Sequence, residues 1–240
     1  MKPHAAFEQV PLDETISPND AMFTGQPAHY FRVARSAMAG IRAARALQPP
    51  RKPQRILDFA CGHGRVMRAL RAYFPAAEII GCDIDEDGIE FCRRTFGSRA
   101  VLGNTTFEDL PIDPEIDLIW VGSLLTHLPE EDTRRLMRFL LSRLSERGIL
   151  VVSSHGRRVV ENLRAGQPYG IAPEEAEALV RAYEASSYGY ADYPWQPGYG
   201  ISVIPPGWYF DWCRSHDARL VLYSERAWDN HHDIIAVART

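Results

Sequence analysis

From Arg55 onward, the apolar and polar positions of the chain switch between two periods. Short apolar runs at Arg55–Phe59, Glu78–Cys82, Arg99–Leu102, Ile116–Val121 and Ile149–Ser153 have the length of strands. The last run lacks alternation, as expected in a sheet covered on both faces. Between the runs the spacing is helical. Arg65–Tyr73 forms one such stretch, and Glu86–Phe96 another, with Asp85 as its N-cap, Glu86 and Asp87 at its positive end and Gly97 to close it. A third opens with Pro129 in its first turn, carries Leu136, Phe139, Leu140 and Leu144 on one face, and is expected to run to Gly148. This alternation predicts a largely parallel α/β sandwich.

Both flanks depart from that rhythm. Residues 1–27 are broken by Pro3, Pro11, Pro18 and Pro27 and read as a loose arm. Ala28–Leu47 has a helical face of Phe31, Ala34, Met38, Ile41 and Ala44, and Gln48-Pro-Pro-Arg-Lys-Pro stops it. After Ser153 the alternation breaks. Residues 156–204 read as an inserted lobe with one helix, Pro173–Ala185, and a crowd of aromatics. A helix at Pro206–His216 and strands at Arg219–Glu225 and Asp233–Ala238, parted by the turn-prone Asp229-Asn230, then complete the sheet. The expected parts are an arm and cover helix (1–52), a core (53–155), the lobe (156–204) and a closing helix and strand pair (205–240).

Composition narrows the class. The 240 residues are 45% hydrophobic and 24% charged, the values of a globular chain of one generous domain. No apolar run is long enough to span a bilayer, and Met1–Val10 lacks the charged and apolar pattern of a secretory signal. The expected location is therefore the cytoplasm. A net charge of −4 provides no general attraction to nucleic acid or membrane. Lys2 and Lys52 are the only lysines, a skew that reflects a GC-rich bacterial genome rather than chemistry. The four cysteines, Cys61, Cys82, Cys92 and Cys213, have no metal or disulfide spacing and read as buried thiols.

The chemistry concentrates in Ile56-Leu-Asp-Phe-Ala-Cys-Gly-His-Gly-Arg65. A strand ends in an acid, a Gly-x-Gly turn follows and a helix begins, so a ligand can lie against bare backbone. Met67 stands where a dinucleotide fingerprint needs its third small residue, which argues against a nicotinamide-dependent oxidoreductase. Asp58 would repel a pyrophosphate but suits a ligand with an amino group. Asp83 ends the second strand, where a carboxylate can accept both hydroxyls of a ribose.

Asp58-Phe-Ala-Cys-Gly-His-Gly together with Asp83 resembles the class I S-adenosylmethionine-dependent methyltransferases. The resemblance spans about Pro53–Ser153 and the final αββ layout. It implies a Rossmann-like, doubly wound, mostly parallel seven-stranded sheet with the aromatic lobe inserted after strand five, and S-adenosylmethionine as cofactor. By this likeness Asp58, Ala60, Gly62 and Gly64 would contact the methionine half, and Asp83 and Ile84 the ribose and its surroundings. Thr105 and Thr106 would lie near the adenine, and Gly122 and Ser123 near the sulfonium. The cover helix offers Tyr30 and Arg35 for the methionine carboxylate. The segment Asn104-Thr-Thr-Phe-Glu-Asp-Leu-Pro is less regular than the family's usual one.

The Thr126-His-Leu-Pro129 segment puts His127 near the edge where ligands bind in open α/β sheets, and His155 ends the fifth strand at the same edge. Either can serve as a general base; either can equally be structural. Tyr188, Tyr193, Trp195 and Tyr199 of the lobe can form its small core, close on an acceptor, or both. No Asn/Asp-Pro-Pro-Tyr follows the fourth strand, which argues against methylation of nucleic-acid amino groups. No paired-acid metal site is evident. His231-His232-Asp233 looks metal-like, but neighbours on an extended segment face opposite sides, so no metal is expected there. The function anticipated is methyl transfer to a small molecule, a hydroxyl of a glycan or secondary metabolite. A noncatalytic binding module on the same fold is the remaining alternative.

Overall fold

The computed structural model describes residues 10–240; the segment read for a signal, Met1–Val10, lies outside them except for its last residue. In chain order the elements are α1 (Pro27–Ala46), β1 (Arg55–Phe59), α2 (Met67–Tyr73), β2 (Glu78–Asp83), α3 (Glu86–Phe96), β3 (Arg99–Leu102) and β4 (Ile116–Val121). There follow α4 (Glu130–Arg143), β5 (Leu144–Ser154), α5 (Arg157–Arg164), α6 (Pro173–Glu184), β6 (Gly189–Tyr193), β7 (Gln196–Val203), α7 (Pro206–Arg214), β8 (Ala218–Trp228) and β9 (His232–Arg239).

Seven strands form one sheet in the order β3-β2-β1-β4-β5-β9-β8. Those from β1 to β5 are parallel, and β9 runs antiparallel to both β5 and β8. The order reverses at β1, which pairs with β2 on one side and β4 on the other, so a crevice opens beyond its carboxyl end. One face of the sheet is covered by α1, α2 and α3 through a cluster that includes Met38, Ile41, Leu70, Trp120 and Ile234. The other is covered by α4 and α7 through Leu136, Leu140, Trp208 and Trp212.

The local signals operate as their physics requires. Asp85 Oδ1 accepts from the Gly88 N–H at 3.2 Å, and Gly97 ends α3 in the left-handed conformation. The hairpin turn between β8 and β9 has Asp229 and Asn230 at φ +50° and +58°, and the His231 N–H donates to the Trp228 carbonyl at 3.0 Å. Three residues, Asp229 to His231, part the strands, and the positive φ of the first two favours Asp and Asn.

Three expectations need correction. The helix opened by Pro129 ends at Arg143 rather than Gly148, because Leu144 already pairs with Ile116 and so begins β5. The lobe holds two helices and the β6–β7 hairpin rather than one helix. In α5, Val159, Val160 and Leu163 pack with Ile171, Leu179, Ile201 and Val203 into a small core of their own. Finally, the described part of the arm is tied down. Arg68, buried in α2, donates to the carbonyls of Asp13 (2.5 Å) and Thr15 (3.0 Å), and Asn19 donates to Asp87 at 2.9 Å. Proline spacing could not disclose those long-range bonds.

Helix α1 is built into the fold. The Trp228 indole donates to the Val33 carbonyl at 3.0 Å, and the Asp229 N–H donates to Ser36 Oγ at 2.8 Å. Ile41 is fully buried against the sheet. Ile41→Ala should therefore destabilise the protein by about 2–5 kcal/mol in urea unfolding. A loss below about 1 kcal/mol would mean that α1 is a detachable cover.

Candidate active site

The crevice is assembled from the ends of β1, β2 and β4. Asp58 sits inside the end of β1, 1% exposed, and its Oδ2 is buried without a hydrogen-bond partner. Burial, helped by the nearby charge of Asp83, pushes its carboxyl well above the ordinary range. An unpartnered buried carboxylate costs free energy unless a donor or a cation meets it. The chain then turns sharply. Ala60 adopts φ +61°, a strained conformation for a residue with a side chain, and its N–H donates to the Cys82 carbonyl at 2.8 Å.

The two glycines of the turn differ in role. At Gly62, φ is +49° and an added Cβ would meet nothing within 4 Å, so its open side faces the crevice. At Gly64 a Cβ would fall 2.5 Å from Phe96 and 2.8 Å from Cys92 Sγ. Gly64 therefore serves the packing of the turn onto α3, a correction to the expectation that it faces a ligand. His63 between them is buried and reaches Asp87 Oδ2 through Nε2 at 2.9 Å.

Asp83 couples the loops. Its Oδ2 accepts from the Gly62 N–H at 2.7 Å, its Oδ1 accepts from the Asp85 N–H at 3.0 Å, and its carbonyl accepts from the Gly103 N–H at 2.7 Å. Each carboxylate oxygen keeps a second lone pair for a ligand. Beside it Ile84 is 70% exposed, an apolar side chain held in the open next to an acid, and Leu102 is 54% exposed at the end of β3. Thr105 and Thr106 are exposed beyond it, and the Thr106 N–H is taken by Asn104 Oδ1 at 3.1 Å. Ser123, after β4, is at φ +61°, and its N–H donates to Ser153 Oγ at 2.8 Å. Gly122 lies against Trp120 and Trp228, where a Cβ would come within 2.9 Å of both.

The two cover-helix candidates are engaged by other groups. The Tyr30 hydroxyl is buried and donates to Asp20, and Arg68 donates to it at 3.3 Å. Arg35 donates to the Val10 carbonyl at 3.0 Å and lines a cavity of about 1030 Å³ that extends to Asp117 and Ile149 at the amino ends of β4 and β5. Arg35 is turned to that cavity, whereas Tyr30 stays near Arg65, beside the glycine turn. Arg65 does adjoin it: partly buried and directly after Gly64, its guanidinium lies 5.7 Å from the Trp228 ring. No anionic side chain forms an ion pair with Arg65 among the described residues. An arginine just ahead of a helix carries no distinctive sequence signal, and only the contact with the distant Trp228 singles it out.

Strand β7 brings the lobe to the same edge. Gly200 and Ser202, two apart and so alike in orientation, turn their backbone groups toward the core. The Gly200 N–H donates to the His127 carbonyl (3.0 Å) and the Ser202 N–H to the Thr126 carbonyl (2.9 Å). In return His127 Nδ1 bonds to the Gly200 carbonyl at 2.8 Å and His155 Nδ1 to the Ser202 carbonyl at 3.1 Å. Since a carbonyl only accepts, both rings carry their proton on Nδ1 and leave Nε2 free. Burial lowers the pKa of His127, and burial with neighbouring histidines lowers that of His155 to about 3.

Tyr199 stacks on His127 at 4.8 Å, and Tyr193 stacks on Trp195, itself 68% exposed, at 5.0 Å. Tyr188 belongs to the scaffold instead: its hydroxyl donates to the Leu128 carbonyl at 2.8 Å, also meets Thr133 Oγ1, and its ring packs on Trp208. The histidine pair after the hairpin also departs from expectation. His231 lies in the turn rather than on an extended strand, so alternation does not separate it from His232. Both rings adjoin His155, at 5.6 and 4.9 Å.

Residues 56–148 match a family described as a methyltransferase domain. Over that segment and in its fold the chain is similar to the class I S-adenosylmethionine-dependent methyltransferases. It is 26% identical over 216 residues to a trans-aconitate 2-methyltransferase of Methylobacterium radiotolerans, covering 82% of this chain and 80% of that one. It is also 26% identical over 152 residues to a ribosomal protein L11 methyltransferase of Syntrophotalea carbinolica, where 62% of this chain spans 46% of the relative. The fold superposes on an S-adenosylmethionine-dependent methyltransferase from Clostridium acetobutylicum with a TM-score of 0.59 at 11% identity, covering 88% of this chain and 92% of that one. The cofactor of this family is S-adenosylmethionine, and the crevice fits it. The orphaned Asp58 oxygen lacks the cation that the methionine ammonium would supply, the open side of Gly62 leaves room, and Asp83 retains acceptor capacity. When bound, the cofactor supplies a methyl group on a positively charged sulfur.

Two outcomes check this site. Asp83→Ala should weaken S-adenosylhomocysteine at least about tenfold in calorimetry, because hydrogen bonds to a charged acceptor are worth roughly 1.5–3 kcal/mol each. Asp85→Ala should cost about 1 kcal/mol of stability through the lost cap and leave affinity nearly unchanged. The reverse pattern would displace the proposed ribose acceptor by two residues.

The pH dependence has a definite sign. Asp58 holds its proton more tightly when buried and alone than when unfolded, so its charging opposes stability as pH rises above the ordinary carboxylate range. A ligand ammonium favours the charged form, so binding expels that proton and affinity should rise with pH until the free protein's Asp58 is ionised. Asp58→Asn should weaken binding and flatten the profile. A flat profile in the unaltered protein would refute the pairing.

Proposed function

We propose that the protein transfers a methyl group from S-adenosylmethionine to an oxygen of a small-molecule acceptor, a hydroxyl carried on a ring or planar skeleton. The observation that carries this reading is His127. Its Nδ1 is occupied by the Gly200 carbonyl, its ring stacks on Tyr199, and burial keeps it neutral, which leaves Nε2 as a free base at the strand-carboxyl edge. The names of the relatives differ in acceptor, one for trans-aconitate and one for ribosomal protein L11, so the acceptor class rests on the crevice itself. Tyr193, Trp195 and Tyr199 present flat apolar faces beside that base, as suits a small ring more than a polymer.

The residues divide the work as follows. Asp58, Gly62, Asp83 and Ile84 hold the donor, and Arg65 is positioned to meet its carboxylate. The lobe aromatics orient the acceptor and exclude water. Such alignment supplies up to about 7–11 kcal/mol of the barrier. His127 takes the hydroxyl proton, worth roughly 10²–10⁴-fold. His155 is a weaker base, since its low pKa leaves little affinity for a proton. Four buried free cysteines accord with a reducing compartment such as the cytoplasm, and no described helix is long and apolar enough to cross a membrane.

The test is S-adenosylhomocysteine release with a panel of small hydroxylated acceptors. His127→Ala should lower turnover about 10²–10⁴-fold, with S-adenosylhomocysteine affinity held within about twofold. Trp195→Ala should raise the acceptor KM and spare cofactor binding. Because the pKa of His127 is lowered, the acid limb of the rate should lie below about pH 6.5. Equal loss of cofactor and acceptor binding in both variants would make the lobe purely structural.

A further inference from the structure

The base and the stacking aromatics account for His127 but leave three other histidines unexplained. His155 ends β5, His231 occupies the hairpin turn and His232 opens β9. Their ring centroids are 4.9–5.6 Å apart, and one ring nitrogen from each lies within 4.8 Å of the others. We propose that His155, His231 and His232 form a divalent metal site whose open coordination position takes an oxygen of the acceptor.

The side chains around the trio favour this. A metal-binding imidazole ordinarily anchors its second nitrogen on a polar partner, which fixes the ring and aims the first. His155 Nδ1 is anchored on the Ser202 carbonyl at 3.1 Å, and His232 Nδ1 on Ser153 Oγ at 3.3 Å. Both Nε2 atoms are thereby left as ligands. His231 is held by its ring, which stacks on Tyr169 at 6.0 Å with the planes 7° apart. Tyr169 is fixed in turn by Asn162, which donates to its hydroxyl at 2.7 Å.

The donor set selects the ion. Among the described residues no carboxylate joins the trio: Asp229 bonds to His29 at 2.8 Å, and Asp233 is held by Tyr223 and, at 2.8 Å, by the Arg226 N–H. Three imidazoles without oxygen donors suit Zn²⁺, Co²⁺ or Ni²⁺ rather than Mg²⁺ or Ca²⁺. Three protein ligands, one short of tetrahedral, is the count that leaves a position for a reactant. Because all three are neutral, the ion keeps its double charge, and the fourth position favours an anionic oxygen. The location is consistent with that use. Ser153 Oγ, which anchors His232, also accepts from the Ser123 N–H at the end of β4, and the His127 ring lies 6.4 Å from that of His155. Metal binding is independent of the acceptor assignment; the role of the open position rests on it.

The experiment uses the full chain, stripped with a chelator and titrated with Zn²⁺ by calorimetry and with Co²⁺ by visible absorption. One equivalent should bind at micromolar affinity or tighter. His231→Ala and His232→Ala should each weaken it at least tenfold, while His127→Ala leaves it unchanged. Azide added to the Co²⁺ form should shift the spectrum by entering the open position. S-adenosylhomocysteine binding measured on each variant serves as the control for folding and for the cofactor site. A protein that binds S-adenosylhomocysteine but takes up no metal overturns the proposal. So does metal uptake indifferent to both His231→Ala and His232→Ala, and a Co²⁺ spectrum indifferent to azide overturns the open position. If metal binds as stated and S-adenosylhomocysteine does not, the metal site stands and the methyltransferase reading falls.

Discussion

Everything at the crevice depends on a carboxylate held where water cannot reach it. Asp58 lies at the end of the strand that pairs on both sides, and its backbone is locked by β2 and β4, so its side chain cannot swing out to solvent. One oxygen is left without a partner. That arrangement costs free energy in the empty protein and is relieved when a cation arrives. The strained turn at Ala60, the bare backbone of Gly62 and the bond from Gly62 to Asp83 surround that buried carboxyl group.

A second constraint is the way the lobe joins the core. Strand β7 does not rest on the edge as a loose flap. It exchanges backbone hydrogen bonds with residues 126 and 127, and its carbonyls fix the tautomers of His127 and His155. The same stretch of chain therefore carries the stacking surface, through Tyr199, and orients the His127 ring against which that surface packs. A lobe displaced by a residue would lose both the stacking face and the bond that sets the His127 ring. On the other side, α1 pins the β8–β9 hairpin through Val33 and Ser36, which steadies the turn carrying His231.

The sequence by itself determined the elements whose causes are local. Apolar runs, the Asp85 cap, the Gly97 stop and the Asp229-Asn230 turn each depend on neighbours a few residues away, and the alternation they mark fixes a parallel sheet with its crevice at β1. The acid–glycine turn and the acid ending β2 were legible for the same reason. What only tertiary structure decided involves residues far apart in the chain. Gly64 faces Phe96 rather than the crevice, Tyr188 braces α4 rather than an acceptor, and Arg35 turns to another cavity, because each is placed by a partner its own segment does not name. The lobe's second helix and hairpin were hidden because short elements with mixed polarity become stable only by sharing a core. His155, His231 and His232 converge for a similar reason: an antiparallel pairing sets Ser154 against Asp233 and so brings Ser153 Oγ to His232, and a turn suspends the alternation that an extended strand would impose.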